Sequence, residues 1–161
     1  MTKILTAFLT LISITTITFA QAPSREDIDK AAVEHDKANV AMMKKDNETA
    51  YNHLKNAIEL DPTNSSFLNS TAYMAMQMGE PEKAIDYLDM ALDLDKKEYG
   101  DNHPNVASVI NNKASVYSSM GDHKKAVKHY KQAYDIVVAA LGEKHPQAEL
   151  IKNLLDQESV K

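Results

Sequence analysis

The sequence has no cysteine and no tryptophan, and it is poor in aromatic residues, glycine and proline. Without cysteine the chain forms no disulfide, has no thiol nucleophile and carries no lipoprotein anchor. The low aromatic content argues against a β-sandwich, whose core is typically built around such residues. The four glycines and five prolines fall almost entirely at the ends of predicted helices. What remains is rich in Ala, Leu, Lys, Glu and Met, a helical composition.

Neither sign of charge dominates the chain. Lys and Arg number 18 and Asp and Glu 23, so the formal net charge is −5. There is no basic stripe and no interleaving of basic with aromatic residues, which excludes nucleic acid from the expected partners. We interpret the modest negative charge as a contribution to solubility. A length of 161 residues predicts one domain that can bury a core without staples.

The one long uncharged run lies at the N-terminus. Lys3 precedes Ile4–Phe19, and small residues stand three and one positions before a cut after Ala20. This layout predicts a signal peptide over residues 1–20 and an exported protein, periplasmic or secreted. A retained membrane anchor is the alternative, and it is disfavoured because the run is short for a span of about 20 residues and is diluted by Ser and Thr. Three Asn-X-Ser/Thr triplets are glycosylation sites only if the source is a eukaryote.

Internal repetition is the strongest pattern in the rest of the chain. The segment around Ala50 recurs at Ala84, 34 residues later, and again at Ala126, 42 residues beyond that. The offset of 42 is shared by two glycine pairs, 79 with 121 and 100 with 142, and by the His-Pro pairs at 103–104 and 145–146. Periods of this length are typical of solenoids built from stacked units.

Each unit is predicted to be a pair of helices. Gly79 and Gly121 suit left-handed helix ends, prolines 81, 104 and 146 suit first turns, and Asp122 suits an N-cap. Ser24 and Asp27 resemble a capping box. The predicted helices are 24–44, 47–61, 64–78, 81–99, 104–120, 122–141 and 146–158. After a helix start at 21–30, they group into repeats at about 31–64, 65–106 and 107–145, followed by a capping helix at 146–158.

Small residues recur where these helices are expected to meet. The predicted packing points are Ala38, Ala72 and Ala114 on first helices, and Ala50, Ala84 and Ala126 on second helices. Leu54, Leu88 and Tyr130 are expected to fill the space beside them. No unit can bury its apolar face alone, so stacking of neighbouring units supplies the core.

The segment Tyr117–Ala126, followed by Tyr130 and Ala133, resembles the helix–turn–helix signature of the tetratricopeptide repeat family. The 42-residue unit is similar to the longer repeat of kinesin light chains. The resemblance covers about residues 31–158 and implies an all-α, right-handed superhelical solenoid of three helix–turn–helix repeats plus a C-terminal capping helix. It also implies a non-catalytic scaffold that binds a peptide segment or partner protein, and it does not imply binding of motor cargo.

The first repeat departs from the family pattern. Glu34 and Ala41 stand where large apolar residues are usual, and Lys37, Thr71 and Lys113 stand where leucine is frequent. We expect the first hairpin to be an atypical end cap, or to pack loosely.

No cluster meets the positional tests for a catalytic or metal site, so the sequence predicts no enzyme, cofactor, metal or small-molecule substrate. His103 and His145 are expected to form turns, and their helices lie at least about 8–10 Å apart, too far to share a metal. The remaining histidines are scattered. Four carboxylates of the fourth predicted helix are placed on exposed faces: Asp86, Asp89, Asp93 and Asp95.

First helices are expected to form the inner wall of the solenoid. Its candidate contact residues are polar and nearly uncharged: His35, Asn39, Asn69, Tyr73, Gln77, Ser108, Asn111 and Ser115. Asn and Gln can donate to and accept from a peptide backbone, which favours a groove for a segment of another protein. Chaperone-binding family members clamp a C-terminal carboxylate with Lys and Arg there, and the second and third first helices offer none. The alternative is that these polar residues merely face water.

Two further features leave alternatives open. Six methionines late in first helices indicate core filling or an adaptable contact surface: Met42, Met43, Met74, Met76, Met78 and Met120. The closing helix carries an apolar stripe, Leu150, Ile151, Leu154 and Leu155, that should cover the third repeat. If it does not, the alternative is a structural or self-associating subunit of a cell-envelope or secreted complex, and self-association would make it a homo-oligomer.

Overall fold

The computed structural model describes residues 22–161, and the predicted signal peptide lies outside this range. Within it the chain is all-α, with seven helices and no strand. They are α1 (Arg25–Met43), α2 (Asn47–Leu60), α3 (Ser65–Gln77), α4 (Pro81–Tyr99), α5 (Pro104–Ser119), α6 (His123–Leu141) and α7 (Pro146–Glu158). Among residues 22–161, no helix combines the length and the apolar character needed to cross a membrane.

Capping side chains at positions predicted from the sequence determine where several helices begin. The predicted capping box is present, since Ser24 Oγ accepts from the Asp27 N–H at 3.1 Å and the Asp27 carboxylate accepts from the Ser24 N–H at 3.3 Å. His103 and His145 cap α5 and α7, each accepting on Nδ1 from the N–H two residues on, at 3.1 and 3.2 Å. The turn role predicted for both His-Pro pairs is confirmed, and its physical form is an N-cap before a first-turn proline.

The predicted helix bounds agree with the structure to within one residue at each end. Gly79 and Gly121 have φ of +76° and +78°, the left-handed conformation expected at a helix end. The predicted boundary between the second and third repeats, at about 106/107, falls two residues inside the start of α5. That helix already begins at Pro104, directly after its cap.

The helices pack chiefly on their neighbours along the chain: α1 on α2, α2 on α3, and so on to α7. This is the quasi-one-dimensional arrangement of a solenoid. All six repeat alanines are buried, as predicted, together with Leu54, Leu88 and Tyr130. Small side chains at these points let helix backbones approach closely, and the core follows the stack as four successive clusters.

The closing helix covers the third repeat with most of its stripe. Ile151 is buried, and Leu154 and Leu155 pack against the cluster formed by α5 and α6. Leu150 is 57% exposed, so the expectation that it belongs to the covering stripe is wrong. Its position, one residue before Ile151, turns it about 100° away around the helix, toward solvent.

Two other expectations need correction. Asp95 is only 3% exposed, because it continues the buried face of α4 one turn beyond Ala91. Core filling holds for Met74, whereas Met43, Met78 and Met120 are exposed. These three lie at or next to the C-termini of first helices, where the chain leaves the stack.

A polar network occupies the position where the first hairpin departs from the family pattern. Glu34 lies between α1 and α2 and accepts from Lys37 Nζ at 2.6 Å, His53 Nδ1 at 2.7 Å and Asn56 Nδ2 at 3.3 Å. The Lys37 bond first, and the His53 bond second, lower the pKa of the Glu34 carboxyl to about 2. The two helices of this end repeat are thus joined by hydrogen bonds from His53 and Asn56 to Glu34, where an apolar contact is usual.

Candidate functional site: the inner groove

The first helices of successive units, α1, α3, α5 and α7, lie in a row along one side of the stack. Side-chain hydrogen bonds link each helix of this row to the next: His35 Nε2 with Ser70 Oγ at 3.4 Å, Asn112 Nδ2 to Asn69 Oδ1 at 3.1 Å, and Gln147 Nε2 to Ser108 Oγ at 2.9 Å. Part of the polar character of this wall therefore holds the register between repeats.

A cleft of about 280 Å³ opens in the wall between α3 and α5. Its floor is apolar: Ala72, Met76, Leu88 and Val116. Its rim is polar: Asn69, Tyr73, Gln77, Asn112 and Ser115. Small-molecule sites are typically about 300–1,000 Å³ and enclose their ligand. A smaller cleft that is open along the helices suits one side chain of a longer segment.

Two of the exposed members of the rim, Tyr73 and Gln77, lie on α3. Tyr73 is 58% exposed, which is unusual for a ring next to an apolar floor. Gln77 lies one turn further along the same helix and is also exposed. A tyrosine ring offers apolar area and a hydroxyl at little conformational cost, and a glutamine amide offers both a donor and an acceptor. These two side chains are the best placed to contact a segment lying in the cleft.

Two other predicted residues line the cleft but use their polar groups within the fold. Asn69 donates to the Ser65 carbonyl at 3.1 Å and accepts from Asn112. The Ser115 hydroxyl contacts the Asn111 carbonyl at 3.2 Å and the Tyr130 hydroxyl at 3.0 Å. Their contribution is to hold the shape of the rim.

The structure does not bring the remaining predicted residues to the cleft. His35 packs against Phe67, with ring centroids 5.1 Å apart, and contacts Asn39 Nδ2 at 3.5 Å. Ser108 holds α7 in place, as described above. Asn111 is half-buried, and its Oδ1 has no partner among the described residues.

Sequence reasoning missed Asn112, which is exposed on the rim and bridges α5 to α3. The prediction followed the series 108, 111, 115 along α5, whereas 108, 112, 115 fits a period of about 3.6 residues equally well. Only the neighbouring helix decides between the two asparagines. Asn111 is half-buried with its Oδ1 enclosed, whereas Asn112 is exposed and reaches Asn69 of α3.

Both walls of the cleft are uncharged. The helix α3 contains no charged residue, and the only one in α5 is Lys113. Lys113 is buried and forms an ion pair with Asp89 of α4, away from the cleft. Next to this pair, burial and the positive charge of Lys113 lower the pKa of His129. The cleft therefore presents an apolar floor and neutral hydrogen-bonding groups to its contents.

An all-α stack of paired helices with a segment-sized cleft on its row of first helices defines a helical-repeat solenoid. Residues 64–139 match the family model described as tetratricopeptide repeat. These residues belong to the tetratricopeptide repeat family, whose repeats act as protein–protein interaction modules. A search of curated proteins gave no significant match.

Solved structures agree with this assignment at the level of the fold. The N-terminal domain of stress-induced protein-1 (STI-1) from C. elegans is 23% identical, with a TM-score of 0.65 over 81% of this chain and 98% of that one. A protein of Podosopora anserina, described as a putative kinesin light chain with nearly identical TPR-like repeats, is 17% identical, with a TM-score of 0.72 over 84% of this chain and 68% of that one. The first TPR of Spaghetti (RPAP3), solved bound to the HSP90 peptide SRMEEVD, is 15% identical, with a TM-score of 0.65 over 83% and 93%.

Proposed function

We propose that the chain is an exported scaffold that binds an extended segment of a partner protein across the cleft between α3 and α5. The observation that carries the proposal is the combination of an apolar floor with a neutral, amide-containing rim on the inner row of helices. An apolar side chain of the segment packs on Met76, Leu88 and Val116. The segment's main chain hydrogen-bonds to Gln77 and Asn112, and Tyr73 packs beside it.

The absence of charge on the cleft limits which kind of partner segment can bind there. The HSP90 peptide SRMEEVD, bound by the first TPR of RPAP3, is acidic toward its C-terminus. The cleft of this chain offers no cation to such a peptide, and a carboxylate buried there would lose its hydration without gaining a partner. We therefore infer that the bound segment is uncharged where it crosses the cleft. We also infer that it is an internal segment of the partner protein, and not a C-terminus recognised through its terminal carboxylate.

Export rests on the leader described above. The expected mature protein begins after Ala20 and acts in the periplasm or outside the cell. N-terminal sequencing of the protein isolated from its own source tests this point. A start at Met1 in a cytoplasmic fraction would contradict export while leaving the binding proposal intact.

The binding proposal is tested with peptides selected by phage display on residues 22–161 and measured by fluorescence polarisation. We expect Tyr73→Ala to weaken binding of the selected peptides by about 2 kcal/mol, or roughly 30-fold, because the bound segment covers the large exposed ring of Tyr73. The matched control is Asp93→Ala, an exposed residue of α4 that is not part of the cleft, and it should leave the dissociation constant unchanged.

SRMEEVD serves as the second ligand in the same assay. It should bind far more weakly than the selected neutral peptides. The proposed groove would be refuted if Tyr73→Ala left the affinity of the selected peptides unchanged, or if SRMEEVD bound as tightly as those peptides.

A further inference from the structure

Among the described residues that line the cleft between α3 and α5, Met76 alone carries a sulfur atom. Met76 is half-buried, because it packs against the core cluster around Leu68 and Leu88 and also lines the open cleft. The chain has no cysteine, so methionine is its only sulfur-containing residue. Oxidation of sulfur therefore acts on this protein through methionine, and within the cleft through Met76.

The sulfur of Met76 extends from α3 to the opposite wall of the cleft. Its Sδ lies 3.9 Å from Oγ of Ser119, an exposed residue at the end of α5. The Ser119 hydroxyl has one proton, and the Val116 carbonyl accepts it at 2.7 Å. A thioether is a weak acceptor, so it does not compete for that proton. The sulfur thus lies between the two walls, next to a side chain that solvent reaches.

Oxidation of this sulfur changes the character of the cleft floor. A peroxide transfers one oxygen atom to a thioether: a sulfur lone pair forms the S–O bond, the O–O bond breaks, the sulfur loses two electrons and the peroxide is reduced to water. The product is a polar sulfoxide. Its oxygen occupies space that an apolar side chain of the bound segment requires, and it can accept the Ser119 proton in place of the Val116 carbonyl. Packing an apolar side chain against this oxygen removes it from water, which costs binding free energy.

The other methionines share this chemistry but not this position. Met43, Met78 and Met120 are 85%, 40% and 43% exposed, and none of them lines the cleft. Met74 is 1% exposed and is enclosed by the core. Oxidation of the three exposed methionines should therefore leave the cleft unchanged. Met78, the C-cap residue of α3, is the natural comparison because it stands only two residues after Met76.

We propose that Met76 is a redox-sensitive modification site, and that its oxidation to the sulfoxide by a peroxide releases the segment bound in the cleft. The inference rests on the proposed function, since it concerns the regulation of that same cleft. Methionine sulfoxide is reduced back to methionine by the reductases MsrA and MsrB. The modification therefore turns binding off reversibly, without a change in the fold.

The test uses residues 22–161, which contain all the described core clusters, and the peptides selected on the reduced protein. Hydrogen peroxide is the oxidant, tandem mass spectrometry reports the sulfoxide at each methionine, and fluorescence polarisation reports the affinity. We expect the dissociation constant of the parent to rise roughly tenfold or more as Met76 is converted, and to return after treatment with both reductases.

Three variants isolate the contribution of Met76. Met76→Leu conserves the apolar volume and removes the sulfur, so it should bind like the reduced parent and keep its affinity in peroxide. Met78→Leu is the matched control and should lose affinity in peroxide as the parent does. Met76→Gln places a polar amide at the same point of the floor, and it should weaken binding roughly tenfold without any oxidant.

The outcomes separate this inference from the proposed function. If the reduced parent binds no selected peptide, the groove itself is refuted, and the switch with it. The switch alone is overturned if the reduced parent binds and oxidation of Met76 leaves its affinity unchanged, or if Met76→Leu loses affinity in peroxide as the parent does. It is also overturned if Met76 stays unmodified while Met78 is fully oxidised, or if circular dichroism shows that the oxidised parent has lost its helices.

Discussion

At the scale of single residues, two carboxylates join helices at the two ends of the described stack. Glu34 joins α1 to α2 through the network described above. Glu158, at the end of α7, is 4% exposed, is hydrogen-bonded to His123, and accepts from Ser118 Oγ at 2.7 Å and Lys161 Nζ at 3.1 Å. The contact with His123 first, and the Ser118 bond second, lower the pKa of the Glu158 carboxyl to about 2. One glutamate thus holds each end of the solenoid.

These pKa values predict a stability that depends on acid. Both carboxyls have a folded pKa of about 2 against a reference value of 4.5, so their ionised forms stabilise the fold. That contribution is complete above about pH 4.5 and is lost as the pH falls toward 2. In urea unfolding, we expect Glu158→Gln to lower the free energy of unfolding at pH 7 by about 1–3 kcal/mol and to reduce the fall seen in the parent between pH 7 and about pH 3.

Glu149→Gln is the matched control, because Glu149 is exposed on the same helix. It should leave the parent's stability and its pH dependence nearly unchanged. If Glu158→Gln lost stability between pH 7 and about pH 3 as steeply as the parent does, its carboxylate would not be the group that acid titrates.

At the scale of helices, the local sequence predicts where each helix begins and ends, but it predicts less well which side chains are buried. Proline, glycine, histidine and aspartate act through the backbone within a few residues, so the helix ends could be predicted from the sequence to within one residue. Burial depends on which neighbour covers a face. Asp95 and Leu150 were therefore misplaced, and the choice of Asn111 over Asn112 missed the rim. The burial of the six repeat alanines was predicted correctly because their repetition in the sequence marks the positions where helices contact each other.

The junction between α4 and α5 makes a prediction at this scale. Lys113 replaces the leucine usual in the family and is buried against Asp89, which is half-exposed. A buried ion pair gains little over an apolar contact of similar size, because desolvation offsets most of its attraction. We expect Lys113→Leu to leave the thermal midpoint unchanged or to raise it. The accompanying gain in the free energy of unfolding should be at most about 1 kcal/mol.

Asp89→Ala should act in the opposite direction and lower stability by about 1–3 kcal/mol, since it leaves the Lys113 ammonium buried without its partner. The pair of variants separates the two effects in one thermal-unfolding experiment. A Lys113→Leu protein clearly less stable than the parent would show that the ion pair itself, and not an apolar contact, holds α4 to α5.

At the scale of the whole molecule, stability should be distributed along the stack rather than shared evenly. Each helix contacts mainly its neighbours, so removing one end unit affects the adjacent cluster first. Deleting residues 145–161 uncovers Tyr130, Ile136 and Val137, which α7 helps to bury, and removes the Glu158 contacts to α5 and α6. We expect amide hydrogen exchange in α5 and α6 to accelerate by at least about tenfold, because their opening free energy falls by about 1.4 kcal/mol or more.

Amides of α1 and α2 should exchange at nearly the parent's rate, since the clusters around Ala38 and Ala57 contain no residue of α7. A globular domain with one cooperative core would instead lose protection everywhere, because opening in any part exposes the whole. Equal acceleration in α1 and α6 would therefore mean that the chain unfolds as one unit. Acceleration that declines from α6 toward α1 would mean that α7 stabilises its neighbours by covering them, and that its influence ends within one or two repeats.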